Sequence, residues 1–195
     1  MRRLLVVLGL LLAGCATPAP GTPTPVDRPS GTTTTTTTGA PATSTPAADR
    51  PRNIDMAAID LCKVVAGLPL APLGLDTDRP PLGGDSTLFA GSKDCSANGL
   101  RTNLSLLMVA VVDQGAAEYA DSVTAKVDKT DIVGFPLYVL TPERPESCFG
   151  VLDVNDGQML HINYGIVSAS SQPLTPQATL CQRIPEIARA ALAQL

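Results

Sequence analysis

The side chains best suited to chemistry in this 195-residue chain are five cysteines, one histidine and a scatter of carboxylates. Thiolates bind soft metals, act as nucleophiles or pair with one another, and their spacing separates these uses. Cys62, Cys95, Cys148 and Cys181 stand singly, and no Cys-x-x-Cys occurs anywhere in the chain. That pattern offers neither a zinc ligand pair nor a redox dithiol. In an oxidising compartment, four cysteines in one domain read instead as two structural disulfides. Three connectivities are open. The same interval separates Cys62 from Cys95 and Cys148 from Cys181, which makes these the expected pairs. Closing a loop of that length contributes roughly 3–4 kcal/mol per bond in the chain-entropy model.

The remaining chemical groups give little. His161 sits beside Met159 and Asn163, and a catalytic or ligating role for it needs partners that the sequence does not display. No Gly-x-Ser-x-Gly nucleophile signature is present, so a satisfied core histidine or a surface one is expected. The run Asp153-Val154-Asn155-Asp156-Gly157 opens like a calcium loop, but its twelfth position is Tyr164 rather than Glu, so a turn is expected. Asp76, Asp78, Asp85 and Asp94 fall in or beside a Pro/Gly-rich stretch and read as solvated surface. Gly83-Gly84 lacks the flanking residues of a phosphate cradle, and Asn103-Leu104-Ser105 matches a glycosylation sequon inside an expected strand. No cofactor or metal is expected, and no catalytic residue is assigned.

Cys15 belongs to a different setting. Arg2 and Arg3 precede the apolar run Leu4–Leu12, and small residues Ala13 and Gly14 lead directly to Cys15. Nine helical residues rise only about 14 Å, half a bilayer core, so this is a leader rather than a membrane span. Leu12-Ala13-Gly14-Cys15 resembles the lipobox of bacterial lipoproteins. The resemblance implies a signal peptide over 1–14, cleavage before Cys15, and a diacylglyceryl group on its thiol. The membrane is then a partner through a covalent lipid on Cys15, at the extracytoplasmic face.

Composition changes abruptly after that point. Residues 16–52 hold eight prolines and twelve threonines, seven of them in Thr32–Thr38, and no Leu, Ile, Phe or Tyr. With so little to bury, the stretch 15–52 is expected to be a disordered tether, spanning about 35 Å as a coil and up to about 115 Å if polyproline-like. Asn53–Leu195 then forms one domain with nine Lys/Arg against sixteen Asp/Glu. Such acidity disfavours nucleic acid and anionic lipid surfaces as partners. The absence of Trp, with three Phe and three Tyr, also removes the usual stacking platform for sugars and bases.

Periodicity supplies the elements that would hold these groups. Ile54, Ala58, Leu61, Cys62 and Val65 share one helical face, with Asn53, Asp55 or Asp60 as caps and Gly67 as the stop. Residues 68–92 read as an irregular loop. A strand then leads through an Asn98-Gly99 turn into a second strand that becomes wholly apolar over Leu106–Val112. Ala116, Tyr119, Ala120, Val123 and Val127 predict a helix, followed by a strand over Phe135–Leu140. A hairpin over Cys148–Val154 and Gln158–Tyr164 turns at Asn155-Asp156-Gly157. A closing helix begins with Thr175 as N-cap and Pro176 at its first position, with a kink expected from Pro185. The order α-β-β-α-β-β-β-α predicts an α+β domain, an antiparallel sheet covered by helices.

"DLCKVV", "KDCSA", "SCFGVLDVNDGQMLHI" and "LCQRIPEIARAAL" resemble the four cysteine landmarks of an actinobacterial lipoprotein family of unknown function. Leu61 and Ala97 stand where that family's pattern has Pro and Trp. The resemblance implies a lipid-anchored α+β domain with two disulfides and assigns no activity. The functional expectation is a non-catalytic binding or interaction module of the cell envelope, with a small-molecule or protein partner. The alternative is an accessory or structural subunit of an envelope or secretion complex; an envelope hydrolase ranks below both.

Overall fold

The structure is a computed structural model that describes residues 50–195. The expected signal peptide, Cys15 and all but the last three residues of the expected tether lie outside them. No helix among the described residues is long and apolar enough to cross a membrane.

The most apolar segments form the middle of one antiparallel sheet. Strands β1 (Leu82–Asp85), β2 (Lys93–Gly99), β3 (Leu104–Val111), β4 (Ala125–Ile132), β5 (Phe135–Pro142), β6 (Ser147–Asn155) and β7 (Gln158–Ile166) lie in the order β1-β2-β3-β7-β6-β5-β4. β7 therefore occupies the centre, paired to β3 on one side and β6 on the other. Helices α1 (Leu61–Ala66), α2 (Ala116–Ser122) and α3 (Gln177–Leu192) complete an α+β domain.

Period-2 alternation sends β-strand side chains to two faces, and the two faces are covered unequally. On the first, Leu106, Met108, Leu137, Leu152, Leu160 and Ile162 are fully buried under α1 and α3. α3 contributes Leu180, Ile184, Ile187, Ala188, Ala191 and Leu192, and each fully buried Leu or Ile is worth about 1.5–3 kcal/mol. The helix lies close because β6 has Gly150 beneath it. A Cβ there would come within 2.3 Å of Ile184 Cγ2. The disulfides pin these helices to this face: Cys62 bonds Cys95 of β2 and Cys148 of β6 bonds Cys181, with Cα separations of 5.3 and 5.1 Å. On the second face only seven-residue α2 packs down, placing Ala116 and Ala120 over Val109, Val111, Leu140, Val151 and Met159.

Several sequence expectations are corrected. The first helix is split: Asp55 caps a 3-10 turn over Met56–Ala58, and Asp60 caps α1 by accepting from Lys63 N at 3.1 Å. The segment 68–92 is no simple loop, because Leu68, Leu70, Leu73 and Leu75 are core residues and β1 follows them. The Tyr164 hydroxyl fastens it by donating to Leu73 O at 2.6 Å. Asn98 and Gly99 end β2, so the turn is Leu100–Asn103 and β3 begins at Leu104. The second helix stops at Ser122, and Val127 belongs to β4. Pro176, not Thr175, occupies the N-cap of α3, and Pro185 lies inside that helix.

The β4–β5 hairpin turns on Val133 and Gly134, both at positive φ, 56° and 82°. Glycine accepts that conformation; a β-branched residue does not, at a cost of about 1–2 kcal/mol. Val133 is two-thirds exposed and recovers little by packing. Val133→Asn is expected to raise the urea midpoint by an amount equivalent to about 1 kcal/mol. An unchanged or lowered midpoint would contradict this reading of the turn.

Candidate functional site

The thinly covered face gathers most of the aromatic side chains. Phe89, Tyr119, Tyr138 and Phe149 are half-buried there, whereas Phe135 and Tyr164 are buried in the opposite core. His161 lies at their centre. It occupies the middle of β7, in register with Val109 of β3 and Val151 of β6. Its ring centroid stands 5.3 Å from Phe89, 5.5 Å from Tyr119 and 5.7 Å from Phe149, which three separate elements supply. Phe89 is held by a local turn in which Ser86 Oγ accepts from Leu88 N and Phe89 N, at 3.2 and 3.3 Å. Tyr119 rides on α2, and Phe149 points to this face by strand alternation in β6.

His161 is neither a satisfied core histidine nor a surface one, which corrects the sequence expectation. It is 2 % exposed, and Nδ1 is buried with no hydrogen-bond partner among the described residues. Burial pushes its pKa down to about 4, so at neutral pH it packs as an uncharged ring. Burial likewise pushes the Tyr119 phenol up. Nucleophilic catalysis through a histidine needs a hydroxyl or thiol on one ring nitrogen and an orienting group on the other. The surroundings of His161 are rings and valines.

A groove of about 700 Å³ adjoins this cluster where α2 has ended, lined by Thr124, Pro142, Arg144, Glu146, Ser147 and Phe149 together with Glu143. Its β5–β6 turn is fixed from α3, where Gln177 Nε2 donates to the carbonyls of Pro142, Arg144 and Ser147 at 2.9, 2.9 and 3.1 Å. Glu146 Oε2 is buried and has no hydrogen-bond partner among the described residues.

The other sequence-derived groups lie elsewhere and do not converge. Cys62, Cys95, Cys148 and Cys181 are consumed in the two disulfides, and Cys15 lies outside the described residues. Asp76 and Asp78 border a shallow hollow with Arg79 and Arg101, Asp85 pairs with Lys93, and Gly83-Gly84 form the edge strand β1. Lys93 holds the Asp85 carboxyl below its ordinary range. No group of three His, Cys, Asp or Glu among the described residues is placed to hold a metal ion.

Asn103 is 4 % exposed and sits at a φ of 57°; its Nδ2 donates to Ser168 O and Ser171 O at 2.9 and 3.0 Å. The sequon asparagine is thus a buried loop anchor. Asp153 and Asp156 flank a hairpin turn and both pair with Arg50, whose Nη1 lies 2.5 Å from Asp153 Oδ1. Burial raises the Asp153 pKa against the pull of Arg50. Arg50 was invisible as a partner because more than a hundred residues separate it from the turn.

No curated protein and no solved structure matches the chain. A family model does match, over residues 10–194, which takes in every described residue but Leu195 and both disulfides. The chain belongs to the family described as Protein of unknown function (DUF3558).

Proposed function

We propose that this protein is a non-catalytic binding module of the cell envelope, anchored at the extracytoplasmic face of the membrane by a lipid on Cys15. The Thr/Pro-rich stretch then separates anchor from domain. The observation that carries the binding role is the clustering of four of the six Phe and Tyr residues, half-buried, on the face that only α2 covers. Half-exposed aromatic rings give large contact area at low entropic cost and are enriched at protein contact sites. An open groove beside an aromatic face also supports a protein partner over an enclosed small molecule. The second reading, a subunit of an envelope or secretion complex, draws on the same face and differs in whether the partner is permanent. A hydrolase would call for His161 within a pocket, and it lies beneath the rings instead.

The test is a photocrosslinking residue placed at Phe149 in the full chain, with one at Gln182 on the exposed side of α3 as control. Adducts are expected from position 149 in the membrane fraction and not from 182. Cys15→Ser is expected to release the chain from that fraction. Absence of any adduct at 149 would sink the binding role, and membrane retention of an unlipidated chain would sink the anchor.

A further inference from the structure

Two buried side-chain polar atoms lack a hydrogen-bond partner among the described residues, His161 Nδ1 and Glu146 Oε2. Phe149 packs on the first and lines one groove with the second. The histidine lies beneath packed rings and does not line this groove, so its nitrogen is out of a partner's reach. A carboxylate oxygen is different: it accepts hydrogen bonds only, and the half-buried Glu146 keeps one shielded oxygen whose acceptor capacity no described residue fills. Arg144 lines the same groove two residues away, yet neither Glu146 nor Glu143 forms an ion pair among the described residues. The nearby α2 adds Glu118 and Asp121 and no base. The groove therefore presents an aromatic wall and an unmatched carboxylate, with Arg144 also in its lining and Lys126 of the adjoining strand already paired with Asp128.

We infer that this groove receives a Lys or Arg side chain from a segment of a partner protein, its cationic head taken by Glu146 and its methylene stem laid across Phe149. The inference rests on the binding-module reading above and names the partner's chemistry. Long basic side chains combine an apolar stem with a charged head, which matches an aromatic wall ending in a carboxylate, and a cation near the ring gains further from its quadrupole. A free polyamine offers the same charge. The groove is open along its side and shares Phe149 with the aromatic cluster around His161, so it suits a side chain projecting from a larger contact surface.

The experiment titrates the isotope-labelled full chain with three probes: a capped hexapeptide alternating Leu and Lys, its Leu/Glu counterpart, and spermidine. Amide shifts are read by NMR. The Leu/Lys peptide is expected to move the amides of Thr124, Ser147 and Phe149 and to bind more weakly as salt is raised. Glu146→Gln should weaken it at least about tenfold, as loss of a charge-assisted hydrogen bond does, and Glu118→Gln less than twofold. If Glu146→Gln does not fold, Glu146→Asp and the salt dependence of the unmodified chain give the same decision. Equal binding of the Leu/Glu peptide, or no shift at these amides with any probe, overturns the inference. Spermidine binding as tightly as the peptide overturns the protein-segment source. None of these outcomes removes a crosslink at Phe149, so the module reading stands or falls separately.

Discussion

Replacing Cys148 and Cys181 together by Ala is expected to lower the unfolding free energy by about 3–4 kcal/mol and the melting temperature by roughly 10 °C. Both disulfides join residues 33 apart, so the entropy restored to the unfolded chain is the same for each. The folded states left behind differ. α3 is sixteen residues long and keeps six buried apolar side chains against the sheet, so it should remain docked without its bond. α1 has six residues, far below the length at which a helix holds itself together, and depends on Leu61, Val64, Val65 and the Cys62–Cys95 link. The Cys62→Ala, Cys95→Ala chain should therefore lose hydrogen-exchange protection at the α1 amides in a local opening. The Cys148→Ala, Cys181→Ala chain should lose protection uniformly. A loss below about 1 kcal/mol in urea titration of the second variant, or undiminished protection of α1 in the first, would refute this division.

The second large effect is a loss of stability in mild acid that runs through His161. Its folded pKa is about 4 against an ordinary 6.5, because burial disfavours the imidazolium. The groups that face it are Phe89, Tyr119 and Phe149, with Val109 and Val151 in the flanking strands; of these Tyr119 alone titrates, and burial pushes its phenol further up, so none is charged in this range. Between pH 6.5 and 4 the unfolded chain binds a proton that the folded chain refuses. Stability is complete above 6.5 and falls as pH drops toward 4, by about 3 kcal/mol in all. Asp153 acts in the opposite direction, since its folded pKa is raised and the folded state takes up its proton first. The contribution of His161 is isolated by comparing the chain with His161→Leu. That variant should match or exceed the original at pH 7.5, where it removes an unpaired buried nitrogen, and should lose most of the acid sensitivity above pH 4. Parallel pH profiles for the two proteins would show that His161 is not the source.

Strands β3, β5, β6 and β7 and helices α2 and α3 were legible because each carries an apolar pattern of its own; β2 does not, and its Asn-Gly signal marks the end of the strand rather than the turn. β3 is nearly all apolar, β6 and β7 flank a turn-forming Asn-Asp-Gly, and α3 repeats Leu, Ile and Ala at helical spacing. The two strands that went unread are β1 and β4, the outermost members of the sheet. Every residue of β1 is exposed, and β4 buries only Ile132 firmly while carrying Lys126, Asp128, Lys129 and Asp131. An edge strand is held by backbone hydrogen bonds to one neighbour, and charge on it blocks association at the open side, so it leaves no hydrophobic period to read. β1 sits in the Pro/Gly-rich stretch beside buried leucines whose spacing matches neither a helix nor a strand.

Composition and local pattern were enough to set the α+β class, most inner strands, the acidic character and the expected cysteine pairs. Each of these rests on short-range periodicity or on residue type. The aromatic cluster rests on neither. Phe89, Tyr119, Phe149 and His161 come from a loop, a helix and two strands, and they meet only because β7 returns to the middle of the sheet between β3 and β6. That pairing is a long-range choice made by the whole core. It converts a lone histidine with no local motif into the centre of the aromatic face, and it leaves that face open where α2 is too short to reach.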